Sequence, residues 1–138
     1  MAASPTEIDV AGLSPARVLV VDDEASIRNL LTAILSPQGY DVTVACDGDE
    51  AKVLLAHATF EVVVTDYVLP GRLNGIDVLR FAKRIDAACQ VVVITGNHGA
   101  EVQEKAIAFG ATDYIPKPFT LGVINKAVAN AVAVSRAA

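Results

Sequence analysis

Five apolar runs punctuate the chain, at residues 17–21, 41–45, 60–66, 91–95 and 113–116. Most are built from Val, Ile and Leu without polar alternation, the pattern of strands covered on both faces. Helical spacing fills the intervals. Ile27, Leu30, Leu31, Ile34 and Leu35 recur as one face of a helix that Pro37-Gln38-Gly39 stops. Ala51, Val53, Leu54 and Leu55 belong to a second helix, with Asp47 as its N-cap. A third helix is predicted over 75–85, turning Ile76, Leu79 and either Val78 or Ala82 inward. The loop Gly96-Asn97-His98-Gly99 precedes a fourth helix over 100–109, stopped at Gly110. Thr120 caps a fifth helix that runs nearly to the end of the chain. Its stripe Leu121, Ile124, Val128 and Val132 is the expected core face, with Val123, Ala127 and Val134 as a second, partly apolar one.

Strands alternating with helices predict an α/β fold: a five-stranded parallel sheet, right-handed crossovers and helices on both faces. Length allows one domain with a substantial core: 138 residues, 53% hydrophobic and 20% charged. Residues 1–15, small, polar and interrupted by Pro, are expected to be a flexible extension of a domain over 16–138. A net charge of -5 and the lack of any Lys/Arg cluster along the chain argue against nucleic-acid binding. Cys46 and Cys89 lack metal-type spacing and read as reduced thiols. Neither a signal peptide nor a membrane span is predicted, so a cytoplasmic location is expected.

Parallel strands place their carboxyl ends on one edge, where open α/β sheets gather their chemistry. The first strand ends in Asp22 and Asp23, the third in Asp66, the fourth in Thr95 and Gly96, and the fifth is followed by Lys117. Asp22 and Asp23 are also placed to cap the first helix, and His57 and His98 read as surface residues. Three converging carboxylates repel unless a cation joins them, and hard oxygen ligands in a partly hydrated site suit Mg²⁺. Lys117, the Thr95 hydroxyl and the Gly96 N–H complete a cradle for a phosphoryl group. Asp66, the central carboxylate, is the candidate nucleophile that forms an acyl phosphate.

The motifs Val-Val-Asp22-Asp23-Glu24, Asp66-Tyr-Val-Leu-Pro70, Thr95-Gly96 and Lys117-Pro118-Phe119 resemble those of response regulator receiver domains of two-component systems. The likeness covers roughly 16–134 and implies the flavodoxin-like strand order 2-1-3-4-5. It further implies that Asp66 is the phospho-acceptor. Asp23, Asp66 and the Val68 carbonyl would ligate Mg²⁺ directly, and Asp22 through water. Lys117 would pair with the phosphoryl group, and Thr95 and Tyr114 would form a switch pair. A cis Lys117–Pro118 bond is also implied. The implied partners are a sensor histidine kinase or histidine phosphotransfer protein and a downstream output protein or domain. The face of the fourth helix, fifth strand and fifth helix would meet a partner or a second copy of the chain. One departure stands out: the loop from Asp66 to Gly75 is one residue longer than in the simplest members.

The expected function is thus a phosphorylation-dependent signalling switch with self-catalysed chemistry, not a metabolic enzyme. An aspartate-nucleophile phosphatase is the alternative. Such enzymes carry a second acid two residues after the nucleophile, where this chain has Val68. A flavin-binding protein of similar fold is disfavoured, because the acid cluster would repel a flavin phosphate. At the rim of the site, Val68 and Asn97 are the side chains expected to govern water access to a phosphorylated Asp66.

Overall fold

The computed structural model describes residues 14–96 and 99–138. Most of the expected extension over 1–15, and the rim residue Asn97, therefore lie outside the described residues. The chain runs β1 (Arg17–Val21), α1 (Ala25–Leu35), β2 (Asp41–Ala45), α2 (Gly48–His57), β3 (Val62–Asp66) and α3 (Gly75–Ile85), then β4 (Gln90–Thr95), α4 (Gly99–Ala108), β5 (Asp113–Pro116) and α5 (Leu121–Ala137). A single 3-10 turn, Ser36–Gln38, ends α1, and Gly39 follows it in the left-handed region at φ 92°. All pairings are parallel, in the order β2-β1-β3-β4-β5.

The alternating side chains of the strands feed two cores. Val18, Val20, Val62, Val64, Val92 and Ile94 meet α1 and α5 on one face. Leu19, Val21, Val63, Val91 and Val93 meet α2, α3 and α4 on the other. All of β3 and β4 is buried, as their apolar composition requires. On α3 both alternatives face inward, Val78 and Ala82 together with Ile76 and Leu79.

Caps formed where local chemistry offered them. The Asp47 side chain accepts from the Glu50 N–H at 2.7 Å, and Thr120 Oγ1 from the Val123 N–H at 3.2 Å. Asp22 and Asp23, by contrast, do not cap α1: its N-cap is Glu24, with no side-chain hydrogen bond. The apolar stripes of α5 are also rearranged. Leu121 is 60% exposed, whereas Ala127 is buried with Ile124, Val128 and Ala131.

Candidate functional site

Register alone brings the first two acids together. Val21 lies opposite Thr65 in the β1–β3 pairing, so the next residues, Asp22 and Asp66, leave adjacent strands at the same level. This is the switch point of the sheet, where the connections leaving β1 and β3 depart to opposite faces. Asp22 is 2% and Asp66 6% exposed, while Asp23 is exposed. Carboxylate oxygens of Asp22, Asp23 and Asp66 lie within 4.8 Å of one another.

One cation answers this charge. Lys117 Nζ donates to Asp66 Oδ2 at 3.0 Å and lies 3.6 Å from Asp22 Oδ2. The Lys117 backbone is fixed by its own N–H, which donates to Thr95 O at 2.7 Å, and the Lys117–Pro118 bond is cis. Burial opposes the charge on Lys117. The hydrogen bond to Asp66 and the fields of Asp66, Asp22 and Glu24 outweigh it, holding the ammonium above its ordinary range. Asp22 is pushed up, chiefly by burial. The Glu24 N–H and Lys117 partly offset that shift, and the neighbouring Asp66 and Asp23 add to it. The donor set of clustered carboxylates at a solvent-facing edge fits a hard divalent cation.

Backbone bonds hold the acids in place. Asp22 Oδ1 accepts from the Glu24 N–H at 2.9 Å, and the Asp22 N–H donates to Ala45 O at 3.1 Å. After Asp66, the Tyr67 N–H donates to Ile94 O at 2.8 Å, and the exposed Val68 has its N–H 3.4 Å from Asp66 Oδ1. Thr95 Oγ1 is buried and has no hydrogen-bond partner among the described residues. An orphaned buried hydroxyl costs about 1–3 kcal/mol. Tyr114, half-buried, lies opposite Val93 and packs into the same core as Val93. Strand parity puts Thr95, two residues beyond Val93, on that face too. Asp22, Asp23, Asp66 and Lys117 are therefore brought into one cluster. Thr95 and Val68 border it, while Tyr114 lies on β5 opposite Val93.

Two contributors were not singled out from the sequence. Arg28 Nη1 donates to the Asp22 carbonyl at 2.8 Å, tying α1 to the acid pair. Gly75 lies so close to the end of β3 that a Cβ there would fall 2.3 Å from Asp66 O and 2.9 Å from Tyr67 Cα. Its N–H donates to Tyr67 O at 2.8 Å. Arg28 falls among the polar positions of a helix pattern, and Gly75 reads as an ordinary helix start. Both roles depend on partners distant in sequence or across a loop.

A sequence profile described as "Response regulator receiver domain" matches residues 18–129. This chain belongs to the response regulator receiver domain family. The receiver is similar to the response regulator MprA of Mycobacterium sp. (strain KMS), at 38% identity over 107 residues. That match covers 78% of this chain and 46% of the relative, so the chain spans less than half the length of such regulators. A receiver domain protein from Clostridium thermocellum superposes with TM-score 0.81 and 30% identity, covering 88% of this chain and 97% of that one. NtrX from Brucella abortus, solved in complex with ADP, gives TM-score 0.82 and 35% identity, over 88% of this chain and 28% of the other. Receiver domains are signalling domains, and the flavodoxin-like sheet order expected from the resemblance is the one observed. Among the described residues, no helix is long and apolar enough to cross a membrane.

Proposed function

We propose that Asp66 accepts a phosphoryl group from the phosphohistidine of a sensor kinase or a histidine phosphotransfer protein. The observation that carries this reading is the cluster itself, three carboxylates within 4.8 Å with the Lys117 ammonium 3.0 Å from Asp66 Oδ2. An Asp66 carboxylate oxygen attacks phosphorus, the phosphorus–nitrogen bond breaks, and the imidazole nitrogen keeps the electron pair and takes a proton. An acyl phosphate remains. Mg²⁺ held by Asp23, Asp66 and the Val68 carbonyl, with Asp22 through water, would neutralise the phosphoryl oxygens. Lys117 then exchanges its carboxylate partner for a phosphoryl oxygen.

The new dianion offers the acceptor that Thr95 Oγ1 lacks among the described residues. Movement of Thr95 frees space on the face it shares with Tyr114, and the surface of α4, β5 and α5 changes with it. Ile107, Phe109, Val123 and Val134 leave apolar surface on these elements for an output protein or a second copy of the chain. Self-catalysed loss of the phosphoryl group resets the switch, and the setting is the cytoplasm. A metabolic phosphatase is not favoured, because the second position after Asp66 is the apolar Val68.

Incubation of the 138-residue chain with a small phosphodonor and Mg²⁺ tests this. Mass spectrometry should show one added phosphoryl group on the wild type and none on Asp66→Asn. Equal labelling of the variant would end the assignment.

A further inference from the structure

On the side of the molecule formed by α2 and α3, three basic side chains meet at one groove. Lys52, Arg80 and Arg84 line a groove of about 210 Å³ whose apolar wall is Leu73 and Phe81. The chain has only 11 basic residues against 16 acids. Yet none of these three cations forms an ion pair among the described residues, where the pairs involve Arg17, Lys117 and Arg136. They rest instead on aromatic rings. Lys52 Nζ is 4.9 Å and Arg84 Cζ 5.6 Å from the Phe81 centroid, and Arg80 Cζ is 4.5 Å from that of Phe109.

Most of the nearby acids bond backbone groups; Asp49, exposed in the first turn of α2, is the exception. Asp47 and Glu50 bond backbone N–H groups at the start of α2. Asp77, also on the groove wall, closes the capping box of α3 with Asn74. Asp86 accepts from the Ala88 N–H. Asp49 apart, these acids hold backbone N–H groups, and Lys52, Arg80 and Arg84, without ion pairs among the described residues, can meet an outside anion.

We infer that the α2–α3 groove docks an acidic amphipathic helix of a partner protein. An apolar residue of that helix would sit on Leu73 and Phe81, and carboxylates one turn to either side would meet Lys52, Arg80 and Arg84. Cations pre-ordered against the Phe81 and Phe109 rings lose less freedom on binding. Two features favour a peptide over a nucleic acid. The groove has room for one or two side chains, and the chain's net charge of -5 opposes a phosphate backbone carrying one charge per ~1.7 Å. Nothing in this inference depends on phosphorylation of Asp66.

Fluorescence anisotropy of the full chain with a labelled 14-residue helical probe tests the docking. The probe carries a central Leu and Glu residues three and four positions to either side. It should bind, and raised salt should weaken it. A probe with Ser for the Leu should bind less well, and one with Lys for every Glu should not bind. Lys52→Glu/Arg84→Glu should weaken binding by roughly tenfold or more. Arg84→Gln, at an exposed position, should weaken it in the same direction by less. Lys126→Glu, on α5, should leave it unchanged. The inference is overturned by absence of binding, by undiminished binding to either groove variant, or by equal binding of the Ser probe. Tighter binding of duplex DNA through the same residues would overturn it in favour of a nucleic acid.

Discussion

At the amino ends of the strands, Arg17, Glu61 and Arg136 each find partners; at the carboxyl ends, three carboxylates cluster and one lysine pairs with two of them. Arg136 pairs with Glu61 and donates to Ser14 O, while Glu61 also accepts from the Arg17 N–H. Arg17 lies over Phe60 at 4.8 Å, and Gln90 and Thr112 bond each other at 2.6 Å. Among the described residues this end contains matched charges and satisfied polar groups. The other end buries Asp22 and Asp66, and leaves Thr95 Oγ1 without a partner. The difference separates two uses of polar residues. One end contributes to stability through completed pairs; the other keeps unneutralised charge on hand for a ligand and gives up some stability to do so.

The largest effect should come from Gly75, which packs against the Asp66 backbone. Gly75→Ala places a Cβ 2.3 Å from Asp66 O, so backbone must move, and a loss of about 3 kcal/mol is expected in urea unfolding. Gly122→Ala, with nothing within 4 Å, should leave stability unchanged or slightly raised. Equal behaviour of the two variants would remove the claim that the close approach matters. Next in size, Glu61→Ala should lose about 1–2 kcal/mol by breaking the pairing at the amino ends. It should leave Mg²⁺ affinity and phosphorylation as they are. A matching fall in Mg²⁺ affinity, followed by titration, would show that the two ends are not independent.

At the rim, Val68 is branched, apolar and 52% exposed. It offers an attacking water no hydrogen bond, so Val68→Asn should speed loss of phosphate from phosphorylated protein in excess Mg²⁺. The expected factor is on the order of tenfold, roughly 1.4 kcal/mol of barrier. Decay at the wild-type rate would refute this account of the rim, while the Glu61→Ala variant is expected to match the wild type.

The smallest effect carries the opposite sign. Asp22→Asn relieves buried charge while its carbonyl oxygen can still accept from the Glu24 N–H, so without metal it should stabilise the fold by up to about 1 kcal/mol. The carboxyl of Asp22 titrates above its ordinary 3.8, mainly through burial. As pH falls through the raised value toward 3.8, the folded protein takes up this proton before the unfolded chain does. Wild type then gains on the variant and the difference closes. Urea midpoints with chelator at neutral and acid pH check this. A gap that widens on acidification would contradict the burial argument.

Most of the fold was legible because its signals are local and repeated. Apolar runs marked all five strands, and their ends shifted by no more than two residues, as at β3, which begins at Val62 rather than at residue 60. Asp47 and Thr120 were recognisable caps because their partners lie three residues away. The capping role open to Asp22 was displaced by the pull of the site: its side chain bonds the Glu24 N–H and faces Lys117, a partner 95 residues further along. Periodicity misplaced Leu121 and Ala127 on α5, because spacing alone does not show which side of a helix its tertiary neighbours cover.

The sequence by itself determined the alternation of strands and helices, and the acids, hydroxyl and lysine that stand at the strand ends. Residue type and spacing encode these directly. Only tertiary structure decided which charges are answered. Parallel register set Asp22 beside Asp66, and the return of β5 brought Lys117 to both. The same packing drew Lys52 toward Arg80 and Arg84 from separate helices, forming a basic groove where the linear chain shows no basic cluster. The physical reason is range. Propensity and hydrophobic period act over a few residues, whereas Coulomb pairing, burial and backbone clash depend on distance in space, which chain order does not specify.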